Sequence, residues 1–259
     1  MSLIKTPQEI KALHEGGVIL SNALKRAMAA CVAGATTADI DDAAREAIEA
    51  AGARPSFLGY TITADDTPYP STLCISINEE VVHAPATPPR TIKDGDIVGL
   101  DIGCWYKDLA TDMATTVIVG EVPQKTRELV ENTRESLVRG LSAIKEGAWV
   151  ADIGAAVEDY LKPKKYGIVK DLVGHGVGHA VHEEPQIPNF RDPRTPKVRL
   201  KTGMVLAIEP MVTLGDWRVA MKPDGWTIVT RDRSLAAHFE VTVAVTGDGY
   251  ELITPWPDR

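Results

Sequence analysis

The strongest constraint on the fold of this chain is an internal repeat between its first and second halves. Residues 34–48 (GATTADIDDAAREAI) align without gaps to residues 147–161 (GAWVADIGAAVEDYL). Further along, residues 93–102 (KDGDIVGLDI) align with residues 201–210 (KTGMVLAIEP). Blocks that recur in the same order predict two copies of one structural unit.

A shorter block between these two supports the same interpretation. The segment VVHAP resembles AVHEEP, which puts His83 opposite His182. We therefore predict a single domain over residues 1–259, built from two similar halves at approximately 1–122 and 123–259. The halves are expected to pack around a pseudo-two-fold axis, with a cleft between them to which each contributes equivalent groups.

Each half is expected to contain a pair of helices followed by antiparallel strands. Helical periodicity covers about 18–32 and 124–146, and each stretch precedes a repeated block that itself reads as a capped amphipathic helix. Thr6, Pro7 and Glu9 have the residue types and spacing of a helix start. The predicted fold class is therefore α+β, an antiparallel sheet flanked by helices.

Carboxylates interrupt four segments that otherwise read as buried strands. Asp101 lies in IVGLDIG, Glu209 in VLAIEPMV and Glu240 in HFEVTVAV, while Asp112 begins TDMATTVIVG. A buried ionised carboxylate costs several kcal/mol unless it is paired or binds a metal. These segments contain no matching set of arginines or lysines. Divalent metal ions among the carboxylates are the economical interpretation; the alternative is that each carboxylate faces solvent from an edge strand.

The ligand types narrow the choice of metal. An oxygen-rich cluster with one imidazole suits two divalent transition ions bridged by carboxylates, and magnesium or calcium suits it less well. Asp101 and Asp112 are expected to be cross-strand neighbours about 5 Å apart, near enough to share ions roughly 3.5–4 Å apart.

The segment GHGVGHAVHEEP (174–185) offers a competing metal motif. His175 and His179 are four residues apart, the spacing that presents two ligands on one face of a helix. However, three glycines interrupt the stretch, and each costs a helix interior about 1 kcal/mol relative to alanine. A metal-binding helix is therefore not favoured here.

Composition excludes several classes of function. The net charge of −8 argues against DNA or other nucleic acid as the main partner, although a local basic patch for docking on ribosomal RNA is compatible with it. The three cysteines form no Cys-x-x-Cys pair, which fits a reducing cytoplasm. The N-terminus shows no basic leader followed by an apolar run, and no stretch approaches the roughly 18 apolar residues of a membrane span. We expect a soluble cytoplasmic protein, a monomer, with no membrane association.

These residues together resemble type I methionine aminopeptidases, which belong to the pita-bread metallopeptidases. The segment MKPDGWTIVTRDRSLAAHFE is the most specific to that branch, whereas GHGVGHAVHEEP is shared in outline with prolidases and X-Pro aminopeptidases. The likeness runs from IKTPQEI near the start to ELIT near the end. It implies a pita-bread fold and hydrolytic removal of the N-terminal methionine from nascent peptides with a small second residue, in the manner of the short bacterial form. Association with the ribosome would be transient.

The resemblance also implies roles for individual residues. Two divalent ions (Co, Mn, Fe or Zn) would be held by five ligands: Asp101, Asp112, His175, Glu209 and Glu240. A water bridging the ions would be the nucleophile, with Glu209 as proton acceptor and donor. His83 and His182 correspond to the catalytic histidines that contact the substrate, and His179 falls where the family has no functional role.

A substrate pocket for the methionine side chain is implied as well. Its expected wall consists of Tyr60, Cys74, His83, His182, Trp226 and Phe57. Phe57 stands where relatives often have a smaller residue, and the stretch 60–70 is longer than the loop expected there. Ala236 stands where many relatives have a serine at a monovalent-cation site, so that site is in doubt.

Alternatives remain for single residues and for the whole chain. Cys74 is equally well read as a small core residue, and Trp226 as part of the core; His14 and His238 are read as structural only. A prolidase, X-Pro aminopeptidase or creatinase-like hydrolase would use the same fold, although these enzymes usually carry an extra N-terminal domain for which 259 residues leave no room. A binding protein that has lost activity is disfavoured because all five ligands are present.

Overall fold

Four helices flank the sheets of the protein, for which a computed structural model describes residues 3–61, 63, 67–195 and 197–257. They are α1 (Pro7–Ala30), α2 (Thr37–Ala50), α3 (Gln124–Ser142) and α4 (Val150–Leu161), with a short 3-10 turn at Lys162–Lys164. The first begins at a capping box, as predicted: the Thr6 hydroxyl accepts from the Glu9 amide, and the Glu9 carboxylate accepts from the Thr6 amide. Thr36 and Asp39 repeat this arrangement at α2.

The strands are short except for one central hairpin. They are β1 (Arg54–Pro55), β2 (Leu73–Ile77), β3 (Glu80–Val82), β4 (Ile97–Tyr106), β5 (Leu109–Ile118), β6 (Gly167–Ile168), β7 (Gly174–Gly176), β8 (Glu183–Ile187), β9 (Val205–Ile208), β10 (Met211–Thr213), β11 (Val219–Met221), β12 (Ile228–Thr230), β13 (Ala236–His238), β14 (Glu240–Val245) and β15 (Tyr250–Leu252). The predicted strands 205–212 and 238–245 are each broken at one point. Pro210 cannot donate to a ladder, and the breaks at Glu209–Pro210 and Phe239 separate strands that belong to different sheets.

The largest sheet has nine strands and joins the two halves of the chain. Its order is β1-β4-β5-β14-β9-β7-β8, with β2 added on β4 and β15 on β14. The repeated strands β4 and β9 therefore take matching positions on either side of the central β5–β14 pair. This arrangement confirms the predicted α+β fold with two pseudo-symmetric halves. Two three-stranded sheets, β13-β10-β6 and β11-β12-β3, complete the fold.

Each half has its own hydrophobic core, in which a helix pair packs on the large sheet. In the first half, Leu24 of α1 and Ile40 of α2 belong to one cluster with Leu100 of β4. In the second, residues of α3 and α4 cluster with β9 and β14. Burying a leucine or isoleucine side chain of this kind stabilises the folded state by about 1.5–3 kcal/mol. Among the described residues no helix combines the length and apolarity needed to cross a bilayer.

Candidate metal centre and active site

Three of the predicted carboxylates lie in one row across the large sheet. Asp101 on β4 pairs with Ala114 on β5, which in turn pairs with Glu240 on β14. Glu209 follows the last residue of β9, whose register with β14 (Val241 opposite Ile208) brings it beside Glu240. Side chains in such a row point to the same face, because strand residues alternate with a period of two.

Asp112 and His175 lie in the neighbouring row on the same face. Asp112 is opposite Gly103, and the Thr242 hydroxyl both donates to the Asp112 carbonyl and accepts from its amide. Thr242 pairs with Ala207, which pairs with His175. Asp101 and Asp112 are cross-strand neighbours, as predicted, but the register makes them a diagonal pair, for which Cα atoms are typically about 7–8 Å apart and not about 5 Å.

His175 reaches the cluster from a strand and not from a helix. It is the middle residue of β7, and its Nδ1 lies 2.9 Å from the Gly176 carbonyl oxygen, which leaves Nε2 3.4 Å from Glu209 Oε1. A Cβ on Gly176 would lie 2.2 Å from the Glu184 carbonyl oxygen, so only glycine allows β8 to approach this closely. The glycines therefore belong to a tight β arrangement around His175.

Burial and mutual repulsion dominate the electrostatics of the cluster. Withdrawal from water raises the pKa of Asp101, Asp112, Glu209 and Glu240, and neighbouring carboxylates raise it further for Asp112, Glu209 and Glu240. Burial also lowers the pKa of His175 to about 3. Each of these directions disfavours the charged form of a group that has no lysine or arginine partner in the part of the chain that the structure describes.

The cluster fits divalent cations. Asp101 Oδ1, Asp112 Oδ1 and Glu240 Oε1 are buried without a hydrogen-bond partner among the described residues. Donor atoms of Asp112, His175 and Glu240 lie within 4.8 Å of one another, as do those of Glu209, His238 and Glu240. Unpartnered buried oxygens beside imidazole nitrogens are the donor set of a transition-metal site.

His238 was expected to be structural only, yet its side chain lies at this cluster. Nε2 is 3.7 Å from Glu209 Oε2 and 3.9 Å from Glu240 Oε2. Burial lowers the pKa of this imidazole to about 3. A signal was present in the sequence: His238 and Glu240 are two residues apart in a strand-like segment, the spacing that gives both side chains the same face.

A cavity of about 390 Å³ opens onto the cluster. It is lined by apolar and aromatic residues together with the two remaining histidines: Phe57, Tyr60, Tyr69, Cys74, Val82, His83, Asp171, Leu172, Val173, His182, Met211 and Trp226, besides the cluster residues. All the predicted wall residues are therefore in the cavity. Tyr69, which was not singled out, stacks edge-on against Trp226 with ring centroids 5.1 Å apart, and only its place within the YTITADDTPYP stretch hinted at this.

Both predicted substrate histidines face this cavity. His182 lies beside His175 with ring centroids 4.5 Å apart, and its Nδ1 is 3.0 Å from the Tyr60 hydroxyl. His83 follows β3 with a positive φ of 60°, and burial lowers its pKa to about 4. At this value the His83 imidazole is neutral at pH 7, so it is ready to accept or share a hydrogen bond with a substrate.

The remaining predicted features lie around this site. His179 is outside the donor sets and is paired with Glu9, with Nε2 2.6 Å from Oε1. Of the stretch 60–70, residues 62 and 64–66 lie outside the described residues, so the predicted effect of its length falls partly on them. Ala236 is buried in β13, and its amide donates to the Asn78 carbonyl.

The comparison with known sequences assigns this fold and cluster to a class. Residues 11–247 match the profile of metallopeptidase family M24, and the chain belongs to that family. Within it, the chain is similar to methionine aminopeptidases. It is 39% identical over 255 residues to the methionine aminopeptidase of Clostridium acetobutylicum, covering 98% of this chain and 99% of that protein. It is 41% identical to that of Borreliella burgdorferi, over 96% of each chain. These relatives confirm the resemblance predicted from the motifs.

Comparison with solved structures also shows similarity to methionine aminopeptidases. The methionine aminopeptidase of Thermotoga maritima superposes with a TM-score of 0.91 at 41% identity, over 97% of this chain and 98% of that one. The prolidase of Pyrococcus furiosus has a TM-score of 0.78 at 24% identity and is matched over 66% of its length, so it shares the fold alone. The pita-bread fold is confirmed.

Proposed function

We propose that this protein is a metal-dependent aminopeptidase that removes the N-terminal methionine from peptides, as the names of its relatives suggest. The observation that carries the proposal is the cluster of buried, unpartnered carboxylates at the end of a cavity walled by apolar and aromatic residues. A peptide N-terminus of limited size fits such a cavity, and a metal-supported cluster at its end supplies hydrolytic chemistry.

The residues that would hold the divalent ions are the five predicted ligands. Asp101, Asp112 and Glu240 have oxygens without hydrogen-bond partners, while His175 and Glu209 approach each other to 3.4 Å. Bound ions supply Lewis acidity, which lowers the pKa of a water nucleophile and polarises the scissile carbonyl. Cobalt, manganese, iron and zinc all suit this donor set.

The protein's own groups provide proton transfer. Glu209 lies at the edge of the cavity, where its carboxylate can accept a proton from a water molecule beside the substrate. As the water oxygen bonds to the scissile carbonyl carbon, its proton passes to Glu209. The same proton goes to the leaving amine when the C–N bond breaks.

The two cavity histidines orient the substrate. His182 sits over His175 and shares a hydrogen bond with the Tyr60 hydroxyl through Nδ1, which leaves its Nε2 for the oxygen on which negative charge develops. His83 enters from the other half of the repeat and contacts the peptide nitrogen. Each half thus contributes one histidine, which is the pattern expected of a pseudo-two-fold cleft.

The cavity wall selects the side chain that is removed. Tyr60, Tyr69 and Trp226 present ring edges and faces, and Cys74 adds a buried thiol. An unbranched thioether fits this wall, because methionine sulfur interacts favourably with aromatic rings at about 5 Å. The bulk of Phe57 narrows the same pocket.

Other features stay predictions from the sequence. We expect one catalytic domain over 1–259 with halves at about 1–122 and 123–259, and the nine-stranded sheet shared by both halves supports this. We expect a cytoplasmic monomer, a small residue after the methionine, a transient contact with the ribosome, and a monovalent cation near Ala236 only if backbone carbonyls suffice to bind it.

The experiment is a peptide assay on protein stripped of metal and reloaded with Co(II), Mn(II), Fe(II) or Zn(II). We expect methionine release from Met-Ala-Ser, little from Met-Leu-Ser, and none without metal. Hydrolysis of Ala-Pro peptides without methionine release would instead indicate a prolidase-type enzyme. Folded protein that hydrolyses neither peptide with any metal would indicate a binding protein.

A further inference from the structure

His238 has a geometry that a structural histidine does not need. It ends β13, its side chain is buried, and its Nε2 has no hydrogen-bond partner among the described residues. A buried imidazole nitrogen without a partner is costly, because it has lost its hydration without replacement. The carboxylates that it faces are those of Glu209 and Glu240.

The separations match those of ligands around a common ion better than those of a hydrogen bond. At 3.7 Å and 3.9 Å, His238 Nε2 is too far from the Glu209 and Glu240 oxygens to hydrogen-bond with them. Ligand atoms that each sit about 2.0–2.2 Å from one metal lie roughly 3–4 Å from each other. Two of the predicted metal ligands show a similar separation: His175 Nε2 lies 3.4 Å from Glu209 Oε1.

The backbone holds this imidazole in place. The His238 amide donates to the Thr116 hydroxyl at 2.9 Å, and the same hydroxyl donates to the His238 carbonyl at 2.8 Å. On its other side His238 pairs with Met211 of β10. Thr116, Ala114 and Asp112 alternate along β5, so His238, Glu240 and Thr242 occupy three successive same-face positions beside them.

We propose that His238 is a sixth ligand of the metal centre, so that the ions are held by two imidazoles, His175 and His238, which belong to two donor sets that share Glu240. This inference rests on the metal dependence of the proposed function. The additional nitrogen would favour cobalt or zinc over manganese, because nitrogen donors raise the affinity for later transition ions more than oxygen donors do.

The first test is the structure of the wild-type protein crystallised with Zn(II). We expect His238 Nε2 at about 2.0–2.1 Å from one zinc ion. A separation above about 3 Å from every bound ion would overturn the proposal, since the nitrogen then can only hydrogen-bond to another ligand. Failure of the protein to bind zinc would overturn both this proposal and the metal dependence, whereas zinc bound without His238 overturns this proposal alone.

The second test is the metal affinity of H238Q, measured by calorimetry on stripped protein with Co(II) and Mn(II). We expect one binding step to weaken at least tenfold for Co(II) and less for Mn(II), with the folded state checked by circular dichroism. H83Q is the matched control, because His83 lines the same cavity but belongs to neither donor set among the described residues. Unchanged Co(II) affinity in H238Q, or an equal loss in H83Q, would contradict a ligand role.

Discussion

Two regions of this molecule bring carboxylates together, and they compensate the negative charge in different ways. In the carboxylate cluster (Asp101, Asp112, Glu209 and Glu240) the pKa of every member is raised, and no lysine or arginine of the described residues is paired with any of them. In what we call the N-terminal clasp (Lys5, Glu9, His179 and Glu183), each carboxylate has a cationic or imidazole partner.

The clasp fastens the chain start to the turn that carries His182. Lys5 Nζ lies 2.7 Å from Glu183 Oε2, and the Lys5 side chain is 1% exposed. The other Glu183 oxygen accepts from the Ala180 amide. Lys5 also runs against Gly178, whose φ of +138° and lack of a Cβ leave room for the lysine chain. Glu183 is thus fully satisfied within the protein.

This difference in cationic partners shows which carboxylates need a cation from outside the protein. The fold supplies a lysine to Glu183, and an arginine and a lysine (Arg90 and Lys222) to the buried Glu80. Among the described residues it supplies none to the cluster at the cavity. Buried carboxylates without a cationic side chain, in a protein that supplies such side chains to Glu183 and Glu80, indicate a site built for metal.

The largest expected effect of breaking the cluster is the loss of turnover in E209Q. Glutamine keeps the size of the side chain but cannot take up the proton, so kcat should fall by about 10³-fold, within the usual range for a lost acid–base group. Methionine release from Met-Ala-Ser measures it. E184Q is the control, since Glu184 is exposed and outside the cavity; a similar loss there would show that the effect is not specific to Glu209.

In the clasp, the largest expected effect is a loss of stability in the K5M variant. Removing the lysine leaves Glu183 buried and charged without its partner, and breaking a buried pair on one side typically costs about 3–5 kcal/mol. Urea denaturation gives the free energy of unfolding. Adding E183Q to K5M removes the unpaired charge while keeping an acceptor for the Ala180 amide, so the double variant should recover most of the loss. No recovery would mean that Lys5 acts through packing and not through charge.

Metal binding at the cluster should raise the free energy of unfolding of the protein, and the increase should not depend on the clasp. At a free metal concentration of 100 Kd, binding to the folded state alone raises the free energy of unfolding by about 2.7 kcal/mol. Wild type and K5M should gain the same amount, because the two regions share no side chain. Thermal unfolding of stripped protein with and without Mn(II) measures this. A much smaller gain in K5M would show that the clasp shapes the metal site.

The comparison also shows which features the sequence could predict. The repeat and the carboxylates in apolar segments can be read directly from the sequence, and they predicted the fold class and the four carboxylates of the cluster. The ligand role of His175 was implied only by the resemblance to the family. Register is not local. The turn at Lys107–Asp108 has positive φ at both residues, as in a type I′ hairpin, but it lacks the glycine that would have indicated it, and this turn makes Asp101 and Asp112 diagonal.

Contacts between distant parts of the chain were missed for a similar reason. His179 and Glu9 are 170 residues apart, and no periodicity relates them. At Phe239 the chain passes from a small sheet to the large one, and no proline or glycine in the sequence marks that break. Tertiary packing decides these features, so a single sequence does not predict them.

The smallest expected effect concerns the exposed side of the clasp, the Glu9–His179 pair. The hydrogen bond with His179, followed by those with Thr6, lowers the pKa of Glu9 from 4.5 to about 2. Because the pKa of the folded state lies below that of the unfolded state, this stabilisation is present above pH 4.5 and is lost as the pH falls towards 2. E9Q should therefore lower the free energy of unfolding at neutral pH by less than about 1 kcal/mol, as expected of a solvent-screened pair.

The same substitution should flatten the pH dependence of stability between pH 4.5 and pH 2, where the wild type loses this contribution. H179Q removes only the imidazole partner and leaves the hydrogen bonds from Thr6 to Glu9, so it should give a smaller change in the same direction, and the double variant should match E9Q alone. Activity should stay within a few-fold in H179A, because the imidazole lies outside the cavity and both donor sets among the described residues. A complete loss of turnover in H179A would mean that His179, and not only His182, acts on the substrate, and that the clasp belongs to the active site.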